Sequence, residues 1–257
     1  MPADRRLSHL QDPEERMQVA RILDLADRSA RVKDVCLSGF VSPRILHLAQ
    51  DVLRGVRDIR FQTDGGFPEA ERKRLCTMPD FVLEEPDFEL SFLRLEPAGP
   101  GEYFHRDVLG AILGLGLVRD RIGDIVLHQG GATVVVDRTL ETFLLTEWRQ
   151  AGRVRMNASL ADRVPEETVQ TEEMSLTLSS LRLDALVAKG CQVSRGEADK
   201  LIRSERVQLN WKVEHRTDAA VSQGDLVSCR GFGRIRVLQT DGLTKKGRHR
   251  VWIRKYH

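Results

Sequence analysis

Val19, Ile22, Leu23 and Ala26 recur at helical spacing, which predicts a helix near the start of the chain. A second helix is better delimited. Ser42 can cap it, Pro43 suits its first position, and Ile45, Leu48, Ala49, Val52 and Leu53 form its apolar stripe before Gly55 stops it. IRF and the glycines at 65–66 then suggest strands and a turn. The charged run AERKR at 70–74 reads as a solvated helix turn, with contact to RNA as the alternative. Farther along, FELSFLRLE reads as a strand and HRDVLGAILGLGL as a helix with Val108, Leu109, Ile112 and Leu113 on one face. IGDIVLHQ and ATVVVDR are two strands turning at Gly130-Gly131. RTLETFLLTEWRQAG is a helix presenting Leu140, Phe143, Leu144 and Trp148, and RVRMNASL is a last strand. The succession β-α-β-β-α-β is that of a ferredoxin-like (RRM-like) domain, a topology shared by RNA binders and enzymes. Phe88 and Phe92 alternate onto one face, read as the core, so a base-stacking platform is not indicated.

Residues 165–180, PEETVQTEEMSLTLSS, are acidic and Ser/Thr-rich with one apolar alternation, Met174-Leu176-Leu178. The segment reads as a partly ordered tether, with a strand added to a neighbour as the alternative. Beyond it LRLDALVAKG is a short helix with Leu183, Leu186 and Val187 inward and Gly190 as its stop. Ser194 opens S-R-G-E, a capping box in which Glu197 reaches back to the Ser194 amide, and Ala198, Leu201 and Ile202 bury one side of the helix that follows. VQLNWKVE is a strand turning near Asn210, and GDLVSCRGFGRIRVLQ and RVWIRKY supply further strands. The expected fold class is α+β. A mixed helical N-terminal segment spans 1–80, the ferredoxin-like domain 81–164, a linker 165–179, and a two-helix-plus-sheet module 180–257.

Charge changes the picture. The 257 residues carry a net +2, yet positions 178–257 hold +9 and positions 1–177 hold −7. An acidic body with a basic, polyanion-seeking module is implied. No run is long and apolar enough for a membrane span, and MPADRRLSHLQDPEER lacks the apolar centre of a secretory signal, so a cytoplasmic protein is expected. Cys36, Cys76, Cys191 and Cys229 form no CxxC pair, which leaves buried or incidental thiols and no zinc site. No cofactor is implied.

LRLDALV, SRGEADKLI, VQLNWK and GDLV together resemble the small RNA-binding module named after the fourth ribosomal protein of the small subunit. One residue departs from its pattern: Trp211 stands where Gly usually follows the Asn. With GGFPEAERKR and HRDVLGAILGLGLVRDRIGDI upstream, nearly the whole chain resembles the YlmH family of bacterial proteins. The resemblance implies RNA binding on the ribosome, on the large subunit with rRNA and tRNA, in rescue of interrupted translation. A non-catalytic factor is expected from the lack of any catalytic signature, with monomer as the default state. Carried onto this sequence, the module's pattern points to Ser194, Arg195, Lys200 and Lys212, with Asn210 shaping the turn. Arg182, Arg203, Arg230 and Arg234 join them by charge and position. Such a surface would neutralise phosphates of structured RNA, which is read by shape and backbone.

Enzyme readings compete poorly. HRD at 105–107 lacks the kinase Asn five residues after the Asp, where Ile112 stands. RLD at 182–184 imitates a pseudouridine-synthase motif but falls within the module's own first helix, where Asp184 is structural. GLGL at 114–117 follows a helix, not the strand a dinucleotide turn requires. An rRNA-modifying enzyme remains one rival, and a protein–protein adaptor is the other.

Overall fold

The computed structural model describes residues 6–8, 10–165, 171–243 and 247–256. It divides into two compact units, 1–168 and 169–257. In the first, helix α1 (Pro13–Val32) starts where the Asp12 carboxylate accepts the Glu14 and Glu15 amides, and it buries Val19, Ile22, Leu23 and Ala26 as the spacing predicts. Val19, Ile22 and Leu23 are each worth roughly 1.5–3 kcal/mol when fully buried, and the single methyl of Ala26 less. Helix α2 (Pro43–Leu53) begins at Ser42, whose hydroxyl accepts the Ile45 amide, and buries the expected stripe. Both helices pack on an antiparallel sheet of β1 (Cys36–Val41), β2 (Ile59–Asp64) and β3 (Lys73–Pro79), with β3 central. AERKR is not a helix turn: it leads into β3. Arg72 donates to the carbonyls of Ile122, Phe40 and Arg119, and Arg74 to those of Ser38, Phe88 and Glu89. Their charge serves packing, because carbonyls and the Asp137 carboxylate, 3.3 Å from Arg74, replace the lost water.

The second half of this unit runs β4 (Leu90–Pro97), α3 (His105–Gly114), β5 (Ile122–His128), β6 (Gly131–Asp137), α4 (Glu141–Glu147), β7 (Gln150–Ala151) and β8 (Val154–Ala161). The sheet order β5-β6-β4-β8-β7, antiparallel throughout, is the ferredoxin-like arrangement with β7 added at one edge. Leu93, Leu95, Val134 and Val136 face Val108, Ile112, Leu144 and Trp148 in one core. Four details differ from expectation. The hairpin turns at Gln129-Gly130, because His128 already pairs with Gly131. Residues 138–140 form a 3-10 turn, so α4 is short. Phe143 is exposed. Phe92 lies on the sheet face opposite the helices, beneath Phe40 and beside Val135, while Phe88 precedes the strand.

That face also explains the HRD…IGDI run. A Cβ on Gly123 would lie 2.7 Å from the Phe40 ring, so glycine lets the two halves approach. The Asp124 carboxylate accepts the backbone amides of Glu71 and Arg72, and Arg119 donates to the carbonyls of Ile122 and Gly123. Burial, with Arg72 adding repulsion, lowers the Arg119 pKa to about 10, while burial raises that of Asp124 despite its hydrogen bonds. The Asp107 carboxylate accepts the Phe104 amide and begins α3.

The second unit holds β9 (Thr171–Leu178), α5 (Leu183–Gly190), α6 (Arg195–Arg203), β10 (Val207–Leu209), β11 (Lys212–Val213), β12 (Leu226–Cys229), β13 (Gly233–Leu243) and β14 (His249–Tyr256). Its sheet order is β11-β10-β12-β13-β14-β9. The span expected as a linker is therefore a strand over 171–178, zipped to β14 from His249↔Leu178 to Tyr256↔Thr171; residues 166–170 lie outside the described residues. Both helices pack on one side of the sheet, over Ile235, Val237, Val251 and Ile253. All four cysteines are buried. No described helix is long and apolar enough to cross a membrane.

Candidate nucleic-acid interface

Asp184, in the first turn of α5, is buried with two guanidinium groups converging on it. Arg182 reaches its Oδ1 at 3.2 Å, and Arg195, at the start of α6, reaches its Oδ2 at 2.9 Å. Burial would raise this carboxyl, but hydrogen bonds from Arg195 and Arg182 outweigh that and hold it below the usual carboxylate range. The Arg195 side chain is 57% exposed and that of Arg182 41%. Their charge is thus available to solvent while Asp184 fixes their direction. Arg195 also lines an open groove of about 630 Å³ with Lys189, Arg248, Gln192, Ser179 and Thr177. Lys189 and Arg248 were not singled out from sequence. Lys189 was legible as the cation in the last turn of α5, whereas Arg248 reaches the groove through the β13–β14 connection.

The capping box forms as predicted: Ser194 Oγ accepts the Glu197 amide at 3.2 Å, and Glu197 accepts the Ser194 amide at 2.9 Å. The Ser194 hydroxyl takes part in starting the helix, and hydrogen bonds from the Ser194 amide and hydroxyl lower the Glu197 carboxyl pKa. On the rest of α6 Lys200 is exposed, and Arg203 is tied to Asp199 at 2.8 Å. Arg182, Arg195 and Arg203 thus each have a carboxylate partner, which charge and position alone did not identify. Exposed pairs of the Arg203 type contribute little to stability.

Asn210 and Trp211 form a two-residue turn between β10 and β11, with φ of 50° and 64°. Two positive φ values define a type I′ hairpin turn, for which Asn-Gly is favoured. Trp211 holds the left-handed conformation without being glycine, so the turn survives the departure and places Lys212 directly opposite Leu209, exposed. Asn210 locks the turn: its Nδ2 donates to Asp225 at 2.8 Å, and its Oδ1 accepts the Leu226 amide at 3.0 Å. Arg230 is exposed in the β12–β13 turn, where its carbonyl accepts from Arg206. Arg234 is set apart. It alternates with Ile235 and so lies on the sheet face away from α5 and α6. The structure brings Arg182 and Arg195 together and leaves Arg234 on another surface. No group of three or more described His, Cys, Asp or Glu residues could hold a metal ion.

The two short helices on a small sheet match the S4 domain model at residues 181–227, and with the putative RNA-binding domain upstream they mark the chain as an RNA-binding protein. Residues 14–80 match the model described as YlmH, N-terminal, and residues 84–163 that of a putative RNA-binding domain in YlmH. The chain is 34% identical over 221 residues to ribosome-associated protein quality control protein P2 of Bacillus subtilis (strain 168), covering 84% of this chain and 85% of the relative. The chain belongs to the YlmH family. The solved structure described as cell division protein ylmH from Streptococcus pneumoniae shares its fold, with TM-score 0.50 and 19% identity over 58% of this chain and 92% of that one.

Proposed function

We propose that this protein is a non-catalytic factor that binds rRNA and tRNA on the large ribosomal subunit, as a monomer, during quality control of interrupted translation. The ribosome-associated name of the relative from Bacillus subtilis supports the setting. The observation that carries the reading is the pair Arg182 and Arg195, aimed by buried Asp184 and continued by Lys189 and Arg248 along the groove. Directed guanidinium groups suit phosphate oxygens, which position a protein on folded RNA without reading sequence. Exposed Lys200, Lys212 and Arg230 add charge to the same module, Arg203 is offset by Asp199, and Asn210 and Ser194 shape the backbone that carries them.

Sedimentation with separated ribosomal subunits across a salt series tests the proposal. Wild type should travel with the large subunit and lose that association steeply as salt rises. Arg195→Ala/Lys200→Ala should dissociate at lower salt. Equal sedimentation of the two proteins would remove these residues from the interface, and retention of a partner after ribonuclease digestion would favour the adaptor reading.

A further inference from the structure

The sheet of the second unit has a face that the two helices do not cover. Ile235, Val237, Val251 and Ile253 point toward α5 and α6, so by strand alternation Arg234, Arg236, Arg250, Trp252, Arg254 and Tyr256 point away. Register draws them together: Arg234 pairs with Tyr256 and Arg236 with Arg254, while Trp252 sits on its strand between Arg250 and Arg254. Across the neighbouring strands Trp252 faces Ser175 and Gln239, and at 40% exposure it is one of the large apolar side chains left open to solvent. Its Nε1 donates to Asp241 Oδ2 at 3.1 Å, which fixes the indole on the sheet. Among the described residues two carboxylates share the face, Glu173 at 2.6 Å from Arg254 and Asp241 opposite Arg250, against four guanidinium groups. The face is thus cationic with an anchored aromatic at its centre. Much of it lies on β13 and β14, beyond the span matched by the S4 model.

We infer that this outer sheet face is a second RNA surface, which holds a single-stranded stretch by stacking a base on Trp252 while Arg234, Arg236, Arg250 and Arg254 neutralise the adjoining phosphates. Charge selects a polyanion, and the exposed indole selects one whose base faces are accessible. A duplex buries those faces and is read by backbone and shape, as at the helix-borne site, whereas stacking on an aromatic serves single strands with little regard to sequence. The inference rests on the RNA-binding reading above and adds a distinct class of RNA to it.

The test measures binding of the full-length protein to a short single-stranded oligouridylate and, separately, to an RNA duplex. Trp252→Ala should weaken the oligouridylate complex about tenfold and leave duplex binding unchanged. Trp252→Phe should restore most of the loss, because a ring still stacks. Arg195→Ala/Lys200→Ala should show the reverse preference. Because Trp252 is partly exposed, thermal melting of each variant separates lost binding from lost folding. Oligouridylate affinity unchanged in Trp252→Ala, or an equal loss for both RNAs, overturns the inference. Wild type that binds duplex but no single strand also overturns it and leaves the proposed function standing. A protein that binds neither RNA brings down both.

Discussion

Asp184 is the residue on which the helix-borne site turns, and it separates two accounts of why the module is basic. If the arginines acted only as accumulated charge, Asp184→Asn would strengthen RNA binding, since it raises the net charge by one. If the carboxylate aims Arg182 and Arg195, the same substitution weakens binding although charge increases. We expect weaker binding, measured on ribosomal subunits or duplex RNA at fixed salt. The folded state should lose about 1–2 kcal/mol, below the value for a fully buried charged hydrogen bond because both arginines are half in solvent. The sign of its pH dependence follows from the lowered carboxyl. The contribution is complete above the unfolded value of about 3.9 and is lost as pH falls through the lower folded value. Denaturant midpoints of wild type and variant should therefore converge only in acid. Asn210 makes a second residue-scale case. Asn210→Ala removes two side-chain hydrogen bonds and places a Cβ-bearing residue that lacks a local partner at φ 50°, a combined cost of about 2–4 kcal/mol. Asn210→Gly keeps the backbone at ease and should cost about half as much in chemical denaturation.

Between elements, α5 comes close to β13 in the RNA module. A Cβ built on Gly190 would lie 2.3 Å from Ile235 Cδ1, so any larger residue there obliges the end of the Ile235 side chain to shift. Gly190→Ala should cost a net ~1 kcal/mol, overpacking of ~1–3 offset by a helix-propensity gain of up to ~1. Ile235→Val removes the offending carbon and should rescue it, so that the double variant is more stable than the sum of the singles by a coupling measurable in a double-mutant cycle. This contact was invisible in the sequence, where Gly190 was legible only as a helix stop. The same division runs through the chain. The capping box at Ser194, the stripe of α2 and the burial of α1 were readable because each is settled within one or two turns. Strand β9 was not, because its partner β14 lies some seventy residues onward and a short acidic alternation does not say what will pair with it. Arg72 and Arg74 were read as surface charge because nothing local announces the carbonyls, remote in sequence, that enclose them. Among the candidate cations, type and neighbourhood were legible. The face each one joined was not, since that depends on strand register and on the single carboxylate that gathers Arg182 and Arg195.

For the whole molecule, a net charge of +2 conceals +9 and −7 in two stretches of chain. Exposed charges farther apart than the Debye length, ~8 Å at physiological ionic strength, scarcely feel one another. RNA docked on the module should therefore respond to the module's own net charge, +7 over residues 169–257 once the two glutamates of β9 are counted, and not to the sum. The slope of log affinity against log salt counts the phosphates contacted, at ~0.7–0.9 for each. Arg195→Ala/Lys200→Ala should lower that slope by ~1.4–1.8 if each residue meets one phosphate. Asp24→Asn/Asp27→Asn, on the exposed side of α1, alters the net charge by the same amount in the opposite direction. It should leave the slope where it was and raise association only at low salt. Net charge as the determinant makes the contrary prediction, equal and opposite changes in the two double variants. A salt titration of binding to large subunits that returned such symmetry would show that RNA senses the chain as one weakly basic body and not through a directed cationic module.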